Sequence, residues 1–260
     1  MVKKINKKLS STILLIGFHS ILTRLRSDPS SIHKIFVAEN RKDKRSKTLI
    51  LKAKQIGLSV ELVSNDKLKI LCGEIKNQGV AAFVEKRLLS ESLLELLQNF
   101  NVIREDFYPT LIFLDGVTDP RNLGAILRTA ESVGAGGVIA PMNHSAPLNN
   151  LAISTSCGAS ETVPYVKVPN IARSIEMVQD FGYKVIGMEA EASLNLFSLD
   201  LTTSIAFVFG DEGTGLKKRT SEFCDHLVGL PMRGDVESLN ISVACAVSMF
   251  EDCRQKFHTN

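Results

Sequence analysis

From residue 18 onward the chain alternates between apolar residues at helical spacing and short continuous apolar runs, a rhythm that predicts α/β structure from end to end. FHSILTRLRS (18–27) reads as helix, HKIFVAEN (33–40) as strand, KTLILKAKQIG (47–57) as helix, SVELVS (59–64) as strand, DKLKILCG (66–73) as a short helix and GVAAFVEKR (79–87) as strand. Together they predict a small α/β sandwich. Residues 89–108 begin with the helical pattern SESLLELLQNF and end in a polar stretch, which predicts a linker.

The second half continues the alternation. Strands are expected at 110–117, 136–141, 161–168, 183–190, 204–210 and 226–232, with helices at 123–133, 148–157, 171–181, 216–224 and 240–256. Strands separated by helices imply a mostly parallel sheet covered on both faces, with ligands beyond the carboxyl ends of its strands. The expected organisation is a basic disordered tail at 1–15, an α/β domain at 16–88, the linker at 89–108 and a larger α/β domain at 109–260. The N-terminal MVKKINKKLSSTILLIGF has the outline of a secretory signal. TILLIGF is short for its apolar region, and His19 and Ser20 interrupt it, so a tail is the expectation. No segment offers the 18 or more apolar residues of a membrane span, and a soluble protein is expected.

Charge sharpens the division. Residues 1–105 carry 20 Lys and Arg against 10 Asp and Glu, whereas residues 106–260 carry 11 against 18. A basic module joined to an acidic one suits a protein that grips a polyanion with its first part, although a solvated lysine-rich surface has the same composition. Arg41, Lys42, Lys44 and Arg45 begin a cluster suited to phosphate contacts. The five cysteines are scattered and contain no CxxC pair, which predicts free thiols in a reducing cytosol and neither a disulfide framework nor a metal site.

Three expected strand ends carry chemistry. In DGVTDPRNLGAILRTAESVGAGGVIAP (115–141), Leu123, Ile126, Leu127, Ala130 and Val133 fall on one helical face and Arg128 points away from it. Asn122 is placed to cap that helix, and Arg128 is either a solvent-facing arginine or a functional one. SIAFVFGDEGTGLKK brings Gly210, Gly213 and Gly215 beside Asp211 and Glu212. Leu216 stands where a P-loop needs lysine, the two acids would repel phosphates, and no GxGxxG is present. In LVGLPMRGDVESLNISVACAVSMFE, Ser238 and Asn240 stand at the start of the last helix, as caps or as site residues.

NLGAILRTAESVGAGGVI, FVFGDEGTGL and LPMRGDVESLNISVACAVSMFE resemble, in order and spacing, the three motifs of the SpoU family of RNA ribose 2′-O-methyltransferases. FHSILTRL, HKIFVAEN and NQGVAAFVE resemble the substrate-binding domain of the bacterial 23S rRNA guanosine methyltransferases within that family. The resemblance implies S-adenosylmethionine as methyl donor, 23S rRNA as partner, a cytoplasmic homodimer with a site completed across its interface, no metal, and a deep trefoil knot in the C-terminal α/β domain. It carries catalytic roles onto Asn122, Arg128, Glu212, Ser238 and Asn240. Cofactor contacts fall on Gly210, Glu212, Gly213, Leu230, Pro231, Met232 and Leu239. RNA contacts are expected at Arg41, Lys42, Lys44, Arg45, Arg121 and Arg128. Because arginine has a pKa above 12 in water, Arg128 is expected to orient the ribose hydroxyl and a neighbouring phosphate.

Two departures stand out. Asn77 replaces the histidine that related rRNA enzymes often carry before Gln-Gly, and Asp235 and Glu237 add negative charge to the third motif. The competing readings are a tRNA guanosine or rRNA adenosine methyltransferase, a catalytically silent RNA-binding assembly factor, and a dehydrogenase, the last disfavoured by the missing GxGxxG.

Overall fold

The computed structural model describes residues 12–86, 89–101, 109–236 and 238–257. The expected basic head and the end of the expected linker, 102–108, lie outside them. The N-terminal unit contains β1 (Thr12–Ile16), α1 (Phe18–Ser27), β2 (Ile32–Ala38), α2 (Lys44–Gln55), β3 (Val60–Val63), α3 (Asn65–Cys72) and β4 (Val80–Glu85). These strands form one sheet in the order β1-β4-β2-β3. Residues 12–15, expected in the tail, are ordered strand instead. TILLI pairs antiparallel with β4, from Thr12 opposite Glu85 to Ile16 opposite Ala81.

The two-residue period of the strands divides their side chains between two apolar layers. Leu15, Ile35, Val37, Val80, Ala82 and Val84 face Phe18, Ile21 and Leu25 of α1 and Leu49 and Ala53 of α2. Leu14, Ile16, Phe36 and Ala81 face Leu68 and Cys72 of α3.

After α4 (Leu93–Asn101), the second unit runs β5 (Leu111–Leu114), α5 (Pro120–Ser132), β6 (Gly137–Pro141), α6 (Asn150–Thr155), β7 (Tyr165–Val168), α7 (Ile171–Asp180), β8 (Lys184–Met188), β9 (Leu194–Asn195), β10 (Ile205–Phe209), α8 (Lys218–Ser221), β11 (His226–Gly229) and α9 (Ile241–Phe257). Its seven strands lie in the order β7-β6-β5-β10-β8-β11-β9, and every neighbouring pair is parallel. The central strands are buried on both faces, which is why they read as unbroken apolar runs. The helix expected at 216–224 contracts to α8; just after it the chain turns back to the sheet, where the Asp225 carboxylate accepts the Val185 amide of β8 at 2.7 Å. Leu93, Leu96, Leu97 and Phe100 of α4 join the apolar layer on one face of the sheet. That half of the expected linker is therefore part of the second unit's core.

The two units are bolted together by charge as well as by packing. Arg24 on α1 and Glu161, which follows α6, form an ion pair in which both side chains are almost fully buried. The same guanidinium donates to Ser31 Oγ and to the Glu85 carbonyl, both at 2.9 Å. Ile153 of α6 packs into the core of the first unit. Breaking a buried pair by removing one partner strands the other charge, at a cost of about 3–5 kcal/mol. Urea unfolding of Glu161→Gln should show a loss of that size. Lys34→Ala, which removes the solvent-exposed Lys34–Glu61 pair, should cost less than about 1 kcal/mol.

Candidate functional site

The turn before α5 is set by an Asp-Pro pair. Asp119 is the N-cap residue, its carboxylate accepting the Arg121 amide at 2.8 Å, and Pro120 occupies the first helical position. The helix therefore starts three residues earlier than its apolar period suggests. Asn122 is not its cap, and its amide is free to reach across the sheet edge. The apolar face is as expected: Leu123, Ile126, Leu127 and Ala130 are fully buried, and Arg128 on the opposite side is exposed.

The second segment leaves β10 at Gly210. A Cβ on that residue would come within 2.1 Å of the Gly215 main chain, so only glycine allows the loop to close on itself. Asp211 and Gly215 exchange two main-chain hydrogen bonds, at 3.0 and 2.9 Å. Asp211 Oδ1 also accepts the amides of Gly213 and Thr214, at 2.9 and 3.2 Å. Glu212 is held inside this closed turn.

The third segment runs from Leu230, at the end of β11, to Asn240, at the start of α9. Asn240 Oδ1 accepts the Ser242 amide at 3.0 Å and the Ser242 hydroxyl at 2.6 Å, so it does cap the last helix. Its amide nitrogen works elsewhere.

These three segments meet at one carboxylate oxygen. Glu212 Oε1 accepts Asn122 Nδ2 at 2.9 Å, Asn240 Nδ2 at 2.8 Å and the Ile241 amide at 3.4 Å, while Asn240 Nδ2 also donates to Asn122 Oδ1 at 3.2 Å. Residues 122, 212 and 240 are thereby fixed to one another at the carboxyl edge of the parallel sheet. Arg128 and Ser238 are not drawn into this network: both are exposed, and neither makes a side-chain hydrogen bond or ion pair among the described residues. Glu237 lies outside the described residues.

Around the network the surface is mixed. Met232 and Leu239 are over one-third exposed, whereas Leu230 packs against the core. Pro231 and Gly213 are exposed beside them. Small residues and accessible apolar side chains next to carboxylate and amide groups match a ligand with an adenine ring, ribose hydroxyls and a cationic centre. Cys224, packed under Gly187, has its pKa pushed up to about 12 by burial and by the carboxylates of Asp225 and Glu189. All five cysteines are free.

On the first unit, an open cleft of about 840 Å³ is lined by Asn40, Arg41, Lys42, Asn65, Lys69 and Lys76, among others. Lys42, Lys44 and Arg45 are exposed near the start of α2, as is Arg121 on α5. Arg41 is differently employed. Its guanidinium donates to Asp43 at 2.7 Å and to the Gln78 carbonyl, and it lies 5.0 Å over the Phe18 ring. It braces the 77–79 turn, in which Gln78 holds a positive φ of 53° and Asn77 Oδ1 accepts the Gly79 amide at 2.8 Å. Lys69 and Lys76 were outside the expected basic cluster. They come from α3 and the loop after it, which the fold of the first unit brings into one cleft with Lys42. Asp119, by contrast, had a readable signal in the Asp-Pro dipeptide.

A parallel sheet with three loops converging on a carboxylate, beside a basic appended domain, defines a transferase-like enzyme domain joined to a polyanion-binding one. Comparison with known proteins makes this specific. Residues 109–250 match the model of the SpoU rRNA Methylase family, and residues 14–88 match that for RNA 2′-O ribose methyltransferase substrate binding. The chain belongs to the SpoU rRNA methylase family. It is 43% identical over 248 residues to the 23S rRNA (guanosine-2′-O-)-methyltransferase RlmB of Ralstonia nicotianae, covering 95% of this chain and 98% of that protein. The protein of the same name from Bordetella pertussis is 41% identical, with 95% and 99% covered. Among solved structures, the SpoU methyltransferase AviRb from Streptomyces viridochromogenes in complex with AdoMet superposes with a TM-score of 0.76 at 23% identity, covering 96% of this chain and 92% of that one.

Proposed function

We propose that this protein transfers a methyl group from S-adenosylmethionine to the ribose 2′-hydroxyl of a guanosine in 23S rRNA. The observation that carries the reading is the convergence of Asn122, Glu212 and Asn240 on one oxygen at the carboxyl edge of the sheet. The near full-length likeness to proteins named for that reaction supports the substrate. The matching N-terminal domain supports an RNA substrate. An assembly factor without activity would have no need for this network.

When bound, S-adenosylmethionine supplies an electrophilic methyl group on a sulfonium sulfur. Gly210, Gly213, the Leu230–Met232 segment and Leu239 would hold it, with Glu212 offering a carboxylate to its hydroxyl or amino groups. The rest of the work falls to the chain. A ribose hydroxyl is a weak nucleophile at neutral pH, so it has to be held in line and its developing oxyanion stabilised. Arg128, exposed on the polar side of α5 and without a competing ion pair among the described residues, reaches outward to the hydroxyl and the adjoining phosphate. A guanidinium offers charge and a fork of hydrogen-bond donors, and it acts through these. Asn122 and Asn240 hold Glu212 in place, and the exposed Ser238 adds a hydroxyl to the same loop. Arg121, Lys42, Lys44 and Arg45, with Lys69 and Lys76 across the cleft, bind the RNA backbone. Arg41 lines the same cleft while bracing the 77–79 turn.

Two finer features belong to the same reading. The chain is knotted: a side chain on Gly229 would come within 3.1 Å of the Glu189 carbonyl, and on the far side Gln255 of α9 bonds the Leu199 carbonyl at 3.0 Å and the Leu201 amide at 2.9 Å. Both contacts suit a C-terminal segment threaded through the 189–203 connection. The protein is also a cytoplasmic homodimer. Val243, Phe250 and Phe257 recur every seven residues along α9 and are 46%, 53% and 76% exposed, a stripe that a second copy covers. No helix among the described residues is long and apolar enough to cross a membrane.

Methyl transfer from labelled S-adenosylmethionine to 23S rRNA tests the assignment of roles. Arg128→Ala should lower kcat by about 10²-fold or more, while Lys69→Ala with Lys76→Ala should raise KM for RNA and leave kcat unchanged. Full activity in both Arg128→Ala and Arg128→Lys would exclude the proposed role. Light scattering of Phe250→Asp should give a monomer where the unaltered protein gives a dimer, and a monomeric unaltered protein would exclude the dimer.

A further inference from the structure

Asp115 is a buried carboxylate that the methyl-transfer reading leaves without a task. It is 2% exposed and sits one residue past β5, where its amide donates to the Phe209 carbonyl at 2.8 Å and extends the pairing of β5 with β10. Its Oδ2 accepts the hydroxyl of Thr220, itself buried, at 2.6 Å, and its Oδ1 is paired with Lys217 Nζ. A carboxylate in this position without partners would be strongly disfavoured by desolvation. Both side-chain partners lie just beyond the glycine turn that carries Glu212.

The arrangement places the two ends of that turn on one residue. The turn enters from Phe209, held by the Asp115 main chain. It leaves at Lys217 and Thr220, held by the Asp115 carboxylate. On its other side Asp115 opens the turn into α5, the helix that supplies Asn122 and Arg128. The next residue, Gly116, has φ 107° and is backed against Asp211, where an added Cβ would come within 3.2 Å of the Asp211 Cβ. The separation between Asn122 and Glu212 is therefore set through Asp115.

We infer that Asp115 is a positioning residue for methyl transfer, anchoring the 210–216 turn through Lys217 and Thr220 so that Glu212 meets Asn122 and Asn240. The inference rests on Glu212 belonging to the active centre. Asp115→Asn keeps the shape but loses the charge that holds Lys217. Thr220→Val and Lys217→Met remove one partner each, and in each variant Asp115 keeps the other.

Steady-state kinetics on 23S rRNA provide the test, with circular dichroism melting to confirm folding. Asp115→Asn should lower kcat by up to about 10²-fold through misplacement of the turn and raise KM for S-adenosylmethionine. KM for RNA should not change. Lys217→Met and Thr220→Val should show the same pattern in milder form, and they decide the matter if Asp115→Asn does not fold. In a Glu212→Gln background, Asp115→Asn should add no further loss. Losses that multiply, or folded Lys217→Met and Thr220→Val proteins with undiminished kcat, would overturn the inference. If Glu212→Gln is impaired and Asp115→Asn is not, the anchoring role alone fails. If Glu212→Gln is fully active, the active-centre reading fails and takes the inference with it.

Discussion

One carboxylate oxygen organises the C-terminal unit. Glu212 Oε1 accepts hydrogen bonds from the side-chain amides of Asn122 and Asn240 and from the Ile241 main chain, tying together segments that are 90 and 28 residues away from it. An accepting oxygen with three donors is a strong local constraint, because hydrogen bonds to a charged group are stronger than neutral ones. The parallel sheet makes this possible by delivering the ends of β5 and β10 side by side. The closed glycine turn then presents Glu212, and the last helix starts with an asparagine that caps its own amides and still donates to the carboxylate.

Much of the fold was legible because its strands and helices differ so clearly in apolar period. Helix 18–27 has the expected bounds, and the core face of α5 is the one its periodicity predicts. The errors came where end effects and pairing outweigh period. Asp119 and Pro120 start α5 early, which releases Asn122 from capping. TILLI becomes a strand because β4 has an open edge for it. The helix expected at 216–224 keeps only Lys218–Ser221, because the glycine turn precedes it and the chain returns to β8 at Asp225.

For the site, the residue types and their strand-end placement were readable, but their mutual contacts were not. Nothing in the spacing says that Asn122 and Asn240 share one oxygen of Glu212, since that depends on strand order. Buried long-range pairs were invisible for the same reason. Arg24 and Glu161 are 137 residues apart, and each reads locally as an ordinary surface charge. Together they hold the basic unit against the acidic one. On the proposed reading, an RNA held by the lysines of the first unit would meet the Glu212 network of the second in one arrangement.

The most direct test of the central claim is a map of ribose 2′-O-methylation over rRNA and tRNA from cells with and without this gene. The account predicts that methylation disappears at a guanosine of 23S rRNA in cells lacking the gene and returns when the intact gene, but not its Arg128→Ala form, is restored. An unchanged map, or a loss confined to tRNA, would contradict it.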